Sequence, residues 1–132
     1  VTLSNAGRAV SVQGRAFIMA TGSFVSGGLF ASTDTVKETA FDLPVYLPTG
    51  RENWFNDDFF VAGHAIEKSG IQVDSSFRPL GRPLDRSPGA ELENLFVCGS
   101  ILAFSEIMKY RCGHGIAIVT GMAAANVCEE YI

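Results

Sequence analysis

Charge is scarce in this 132-residue chain: Asp, Glu, Lys and Arg make up 18% of it, and ten Lys and Arg face fourteen Asp and Glu, for a net charge of −4. Nucleic-acid and membrane-surface binders need a basic face, and this balance argues against both. Cysteine is nearly absent. The three present, Cys98, Cys112 and Cys128, form no CxxC pair, which argues against a disulfide framework and a zinc site and fits a reducing cytoplasm. No apolar run suffices to span a bilayer. The longest, residues 115–127, is broken by Thr120, Gly121 and Asn126, where about 20 apolar residues are needed. No signal peptide is visible. Also missing are a G-x-S-x-G elbow for a serine nucleophile, metal-ligand spacing around the two histidines, His64 and His114, any repeat, and the G-x-G-x-x-G turn of a dinucleotide site. The chain opens at Val1 inside a strand-like pattern. This predicts a single domain, residues 1–132, that is a fragment of a longer protein or a chain with a processed N-terminus.

Apolar and small residues are plentiful. Hydrophobic residues are 47% of the chain, with ten Phe and fourteen Gly, enough for a core without metal or disulfide. Alternation over residues 1–22, with turns at 5–8 and 13–15, predicts a β-meander. Its last piece, Ala16-Phe17-Ile18-Met19-Ala20, is apolar throughout and reads as a strand buried on both faces. Residues 93–100 read the same way. Between them, residues 37–43 suggest a strand, 51–55 one helical turn, 62–69 a short helix stopped by Gly70, and 71–74 another strand. Residues 78–90 read as a surface loop. Residues 115–128 form the one long helix expected. Its small residues, Gly113, Ala117, Gly121, Ala124 and Ala125, predict a partner packed close along it.

Three pieces could carry chemistry. Cys112-Gly113-His114-Gly115 opens the long helix with little side chain. A helix start exposes unpaired N–H groups and about half a positive charge. The glycines either admit a ligand's negative or carbonyl groups or let the helix press on a sheet. Ala20-Thr21-Gly22 and Cys98-Gly99-Ser100 each close a buried strand, and ligands of open α/β sheets bind outside strand carboxyl ends. As neighbours these pieces would form one cradle, with Thr21, Gly22, Gly99, Ser100, Gly113, His114 and Gly115 as its binding residues. Lys109 and Arg111 flank the helix start, as anion holders or as solvated charges. Cys112 is a candidate reactive thiol or a structural one. Trp54, Phe55, Phe59 and Phe60 line a pocket or pack under a loop. No catalytic base is identifiable and no metal is expected.

The segment Ala20-Thr21-Gly22-Ser23-Phe24-Val25-Ser26-Gly27-Gly28-Leu29 closely resembles A-T-G-S-F-x-S-G-G-L of the family formed by the B subunits of anaerobic glycerol-3-phosphate dehydrogenase. Trp54 with Asp58-Phe59-Phe60 is similar to its W-x-x-x-D-F-F. Gly70-Ile71-Gln72-Val73-Asp74 with Arg78-Pro79 is similar to its G-V-x-x-D and L-R-P. Residues 94–100 resemble its N-L-[FY]-x-x-G-S, and Cys112-Gly113-His114-Gly115 its C-G-G-G. The chain departs from the family over residues 103–111, where more bulk and two positive charges stand, and at His114, which replaces a glycine.

The resemblance spans nearly the whole chain and implies the C-terminal third of such a subunit. The implied fold is an α+β fragment of an FAD/NAD(P)-binding α/β fold: a β-meander, two buried strands, a loop-rich insertion and one long C-terminal helix. The implied cofactor is FAD or FMN. The implied reaction takes sn-glycerol 3-phosphate to dihydroxyacetone phosphate and passes electrons towards quinone. The implied partners are the dehydrogenase (A) subunit and the iron–sulfur, membrane-anchoring (C) subunit. The expected location is the cytoplasm or, through those partners, the inner face of the cell membrane. The isolated fragment is expected to be inactive and to self-associate. The residues themselves leave two other classes open: another flavoprotein of the same fold with a different substrate, and a non-catalytic docking or electron-transfer module.

Overall fold

The computed structural model describes residues 1–5, 8–33, 35–58, 63–81 and 92–132. Strands β1 (Thr2–Asn5) and β2 (Arg8–Ser11) form an antiparallel hairpin with Thr2 opposite Ser11 and Asn5 opposite Arg8. Val1 and Val12 extend it, exchanging N–H···O bonds of 2.7 and 2.8 Å. The next strand, β3 (Phe17–Met19), pairs in parallel with β6 (Leu95–Val97), Phe17 opposite Leu95 and Met19 opposite Val97. The expected meander is therefore a hairpin followed by a strand of another sheet. The difference has a physical cause. Asn94 takes hold of the entry to β3: its side-chain amide donates to the Arg15 carbonyl at 3.0 Å, and its own carbonyl accepts from the Phe17 N–H at 2.8 Å.

The connection from β3 to β6 is the expected loop-rich insertion. It carries β4 (Leu29–Ala31) and β5 (Val36–Glu38), antiparallel, with Leu29 opposite Glu38. The buried Glu38 carboxylate accepts N–H groups from Ala40, Phe41 and Leu43 at 2.7, 2.8 and 3.2 Å. Such charge-assisted bonds are strong. They wind residues 40–43 around the carboxylate, which is why β5 ends before the 43 expected. Arg51–Asn53 and Ala65–Lys68 are single 3₁₀ turns; residue 62 of the expected 62–69 helix lies outside the described residues. Residues 71–74 form isolated bridges, Ile71 with Leu102 and Val73 with Pro79. Residues 82–90 of the expected surface loop also lie outside the described residues.

Strand β6 is the centre of the molecule. Successive side chains of a strand point to opposite faces. Leu95 and Val97 join a core with Met19, Leu29, Leu43, Ile71 and Ile101 on the insertion side. Phe96 and Cys98 face the other way, onto Ala124, Val127 and Cys128 of helix α2 (Gly113–Tyr131). On the edge away from β3, the Val97 N–H donates to the Phe77 carbonyl at 2.8 Å. Leu95, Phe96 and Val97 are thus 2%, 0% and 0% exposed, and such burial contributes about 1.5–3 kcal/mol per large apolar side chain.

The matching expectation for β3 fails. Met19 is buried, but Ile18 is 43% exposed and Ala20 is exposed. Among the described residues no second strand lies on the far side of β3, so its apolar run is only partly covered.

Helix α2 is longer than the 115–128 expected and runs antiparallel to β6. Thr120 meets Gly99 beyond the strand's carboxyl end, Ala124 packs on Phe96 and Cys98, and the Ile132 carbonyl accepts from Arg15 at 2.8 Å near the amino end. A 19-residue helix is about 28 Å long at 1.5 Å per residue, whereas a three-residue strand spans about 10 Å. The helix therefore overhangs the sheet. This corrects the expectation of a close partner along its small residues. Only Ala124 is buried; Ala117 and Ala125 are exposed, and a Cβ at Gly121 would meet nothing within 4 Å. No helix among the described residues is long and apolar enough to cross a membrane.

Candidate functional site

Parallel, in-register pairing sends β3 and β6 out at the same end, so Thr21-Gly22 and Gly99-Ser100 emerge side by side. The Cys98 N–H donates to the Met19 carbonyl at 3.0 Å, and a Cβ at Gly22 would lie 3.6 Å from the Ser100 Oγ. Both glycines have positive φ, +74° and +82°, a region that strongly favours glycine. They differ in what surrounds them. At Gly22 a Cβ would strike Ser26 at 2.5 Å, so glycine is needed for packing within the turn. At Gly99 a Cβ would meet no atom of the described residues within 4 Å: among them the turn leaves open space beside its backbone.

Two polar groups at these strand ends stand in contrast. The Gly99 N–H donates to Thr120 Oγ1 at 2.8 Å, so Gly99 presents shape rather than a donor. The Thr21 hydroxyl is buried with no partner among the described residues. It lies against the Gly28 turn, where a Cβ on residue 28 would stand 2.8 Å from it and 1.9 Å from the Gly22 carbonyl.

The start of α2 completes the arrangement from above. Gly115 precedes Thr120 by five positions, about 7.5 Å along the axis, so the Gly113-His114-Gly115 turn projects past the strand ends. Cys112 is the N-cap, and no side chain caps the helix. The first intrahelical bond runs from the Ile116 N–H to the Cys112 carbonyl at 2.9 Å. His114 and Gly115 are exposed, and a Cβ at Gly115 would meet nothing within 4 Å. The N–H groups of residues 113–115 precede the first intrahelical bond and have the helix dipole behind them; Gly113 is half-buried, with Ile107 Cβ 3.9 Å from where its own Cβ would stand.

The segment leading to this turn is gripped by the insertion. Glu67 Oε2 accepts from the Met108 and Lys109 N–H groups at 3.1 and 3.2 Å, at the start of α1 (Ile107–Tyr110). Phe104, Glu106 and Arg111 all adopt positive φ. Lys109 Nζ is 3.0 Å from Glu106 Oε1 and 4.7 Å from the Tyr110 ring centroid; the Tyr110 hydrogen bond, then Glu106, raises its pKa. Its charge is thus shared locally, while Arg111 is exposed.

The remaining candidates lie elsewhere. His64 sits in the insertion, its Nδ1 accepting the Asn56 N–H at 2.9 Å. Trp54 packs against the insertion core and donates Nε1–H to the Pro48 carbonyl at 2.9 Å. Phe55 is 67% exposed and tilts against His64 at 5.8 Å. Phe59 and Phe60 lie outside the described residues. The cysteines are free; burial pushes the Cys98 thiol up, and Cys112 is half-buried. No His, Cys, Asp or Glu group that could hold a metal occurs among the described residues. Sequence reasoning missed Thr120 and Glu67. A lone hydroxyl in the middle of an apolar helix was the available signal for the first; for the second only its place as the acidic third residue of the turn after His64, whose N–H it accepts at 3.0 Å, was legible, and nothing local marks its bonds to Met108 and Lys109.

Residues 2–116 match the FAD binding domain family. The chain is 34% identical to the B subunit of anaerobic glycerol-3-phosphate dehydrogenase from Vibrio vulnificus strain CMCP6, over 89% of this chain and 26% of that protein. It is 32% identical to the protein of the same name from Aliivibrio fischeri strain MJ11, over 92% and 26%. A probable B subunit of anaerobic glycerol-3-phosphate dehydrogenase from Halobacterium salinarum strain R1 is 32% identical, over 88% and 26%. The chain spans about a quarter of the length of these relatives. No solved structure matches it.

Proposed function

The chain belongs to the FAD binding domain family, and on that premise we propose that it is one domain of a longer flavin-dependent protein that oxidises sn-glycerol 3-phosphate to dihydroxyacetone phosphate and passes the electrons towards quinone. FAD is the flavin that family membership supports. The observation that carries the site assignment is the Gly99 turn: positive φ, open space where a Cβ would stand, and a position at the carboxyl end of the central strand. The buried Thr21 hydroxyl and the start of α2, neither with a side-chain partner among the described residues, support the same cradle.

When bound, FAD would supply the two-electron, hydride-level redox chemistry that the oxidation of an alcohol needs. In this reading the protein's share is to hold and polarise it. Gly99 and Ser100 take the ribityl or phosphate portion, with Thr21 and Gly22 beside them. The N–H groups of Gly113, His114 and Gly115 would hold the pyrimidine portion, where preorganised donors stabilise negative charge. The G-x-G-x-x-G half would come from outside these residues. The partners are the dehydrogenase (A) subunit and the iron–sulfur (C) subunit, and through them the protein would sit at the inner face of the membrane.

The test is a flavin assay and a turnover assay on the purified full-length protein, with sn-glycerol 3-phosphate as donor and a quinone analogue as acceptor. Stoichiometric FAD and substrate-dependent quinone reduction are expected. Bound FAD with no response to sn-glycerol 3-phosphate would move the assignment to another substrate. Absence of flavin would leave a docking module.

A further inference from the structure

We infer that Thr120 is a positioning residue that fixes the opening of α2 against the Gly99 turn and so sets the spacing of the two sides of the cradle; its bearing on FAD rests on the reading above. Thr120 Oγ1 accepts the Gly99 N–H at 2.8 Å and donates to the Ile116 carbonyl at 2.6 Å. Ile116 in turn donates its N–H to the Cys112 carbonyl at 2.9 Å. Through the two peptide units that flank Ile116, these bonds connect the strand-end glycine with the N-cap of the helix. A hydroxyl suits the middle of this chain because it donates and accepts at once. Back-bonding to the carbonyl four residues earlier uses the proton and leaves a lone pair for a second N–H. The link is mechanical: the hydroxyl holds Ile116 in the first turns of the helix against Gly99, so its loss frees the helix start as well as the strand-end turn.

The burial pattern makes the link necessary. Gly99 is buried, so its N–H needs a partner. The apolar contacts of α2 with the sheet lie further along, at Ala124, Val127 and Cys128. Towards the opening, Ile118 and Val119 are 61% and 67% exposed, and the half-buried Ile116 is the apolar contact left on the face that carries Thr120. Thr120 is thus the polar link that ties the overhanging end of α2 to the strand end.

The experiment compares Thr120→Val, Thr120→Ser and the wild type in the full-length protein. Two readouts are taken: amide hydrogen exchange over residues 98–102 and 113–120 without flavin, and FAD affinity by flavin fluorescence. Valine keeps the shape and removes both bonds; serine keeps both bonds. The expected result for Thr120→Val is exchange at least about ten-fold faster at Gly99 and at the helix start, with FAD binding about ten-fold weaker. Thr120→Ser should restore both. Unchanged exchange at Gly99 in Thr120→Val overturns the proposal whatever flavin does. Faster exchange with FAD affinity equal to the wild type's overturns the positioning role and reduces Thr120 to a fold contact. If Thr120→Val does not fold, Thr120→Ser still decides: wild-type exchange and affinity support the hydroxyl's role, and their loss overturns it. A wild-type protein that takes up no FAD overturns the cofactor reading itself, an outcome distinct from equal affinity in variant and wild type.

Discussion

The two halves of α2 do different work. From Ala124 onward it is an anchor: Ala124 is fully buried, Tyr131 meets Phe96 edge-on at 5.8 Å, and Arg78 lies over both rings at 5.8 and 5.4 Å. From Gly113 to Val119 most positions are exposed, although Gly113 and Ile116 are half-buried, and at Gly115 a Cβ would meet no described atom within 4 Å. The contrast shows how a short parallel pair can hold a helix at one end and present the other. Stability is concentrated where the strand is, and exposed backbone donors where it is not.

The largest expected effect would break the anchor. Phe96→Ala removes the side chain at the centre of the packed half and should cost about 3–5 kcal/mol, measured by denaturant unfolding. A loss under about 1 kcal/mol would mean that the anchor lies elsewhere. Next comes the open half. Gly115→Val places a side chain where the fold has room, so stability should hold. In the full-length protein it should weaken flavin binding or lower its midpoint potential, at a cost of about 3 kcal/mol by analogy with a lost oxyanion donor. Full FAD occupancy at an unchanged potential would remove this turn from the site.

Ala124→Leu tests the same contrast by overpacking and should cost about 1–3 kcal/mol. Gly121→Ala should do the opposite. Its Cβ meets nothing, so the variant is expected to gain about 0.5–1 kcal/mol of helix stability; a fall in melting temperature would place a close partner there after all. The smallest effect concerns the thiols. Unfolded, the Cys98 thiol ionises around its ordinary value of 9.0; burial raises that value in the folded state. The contribution is complete below the unfolded value and is lost as pH rises through the folded one. Stability should therefore decline on the alkaline side, and Cys98→Ala should flatten that decline. Iodoacetamide at pH 8 should label Cys112, at the open end, faster than Cys98.

Much of this contrast is visible in the residues, and some is not. Leu95-Phe96-Val97 reads correctly as a strand covered on both sides because its two faces meet different layers. Ala16 to Ala20 carries the same pattern, but Ile18 is open, since an apolar run records suitability for burial and not which neighbours are present. The strand-end glycines and the Gly113–Gly115 turn are legible because backbone geometry selects residue type directly. The small residues of α2 mislead: Ala and Gly fit close packing, yet they are equally at home on a helix that packs against little. Glu38 and Glu67 were the least legible. Each acts by accepting backbone N–H groups, from the next few residues for Glu38 and, for Glu67, from His64 three positions earlier and from Met108 and Lys109 more than forty positions away, and the distant bonds leave no periodicity.

Trp54 is the only tryptophan, and its indole is held inside the insertion by the Pro48 carbonyl. Within these residues, tryptophan emission therefore reports one layer alone. Far-ultraviolet circular dichroism is dominated by α2, the one long helix among those described. The two signals watch opposite sides of β6. If heating shifts both at the same temperature, the insertion and the helix melt as one cooperative unit through that shared strand. If emission changes first, the insertion opens while the strand and helix stay folded, and access to the cradle would then be a matter of local melting.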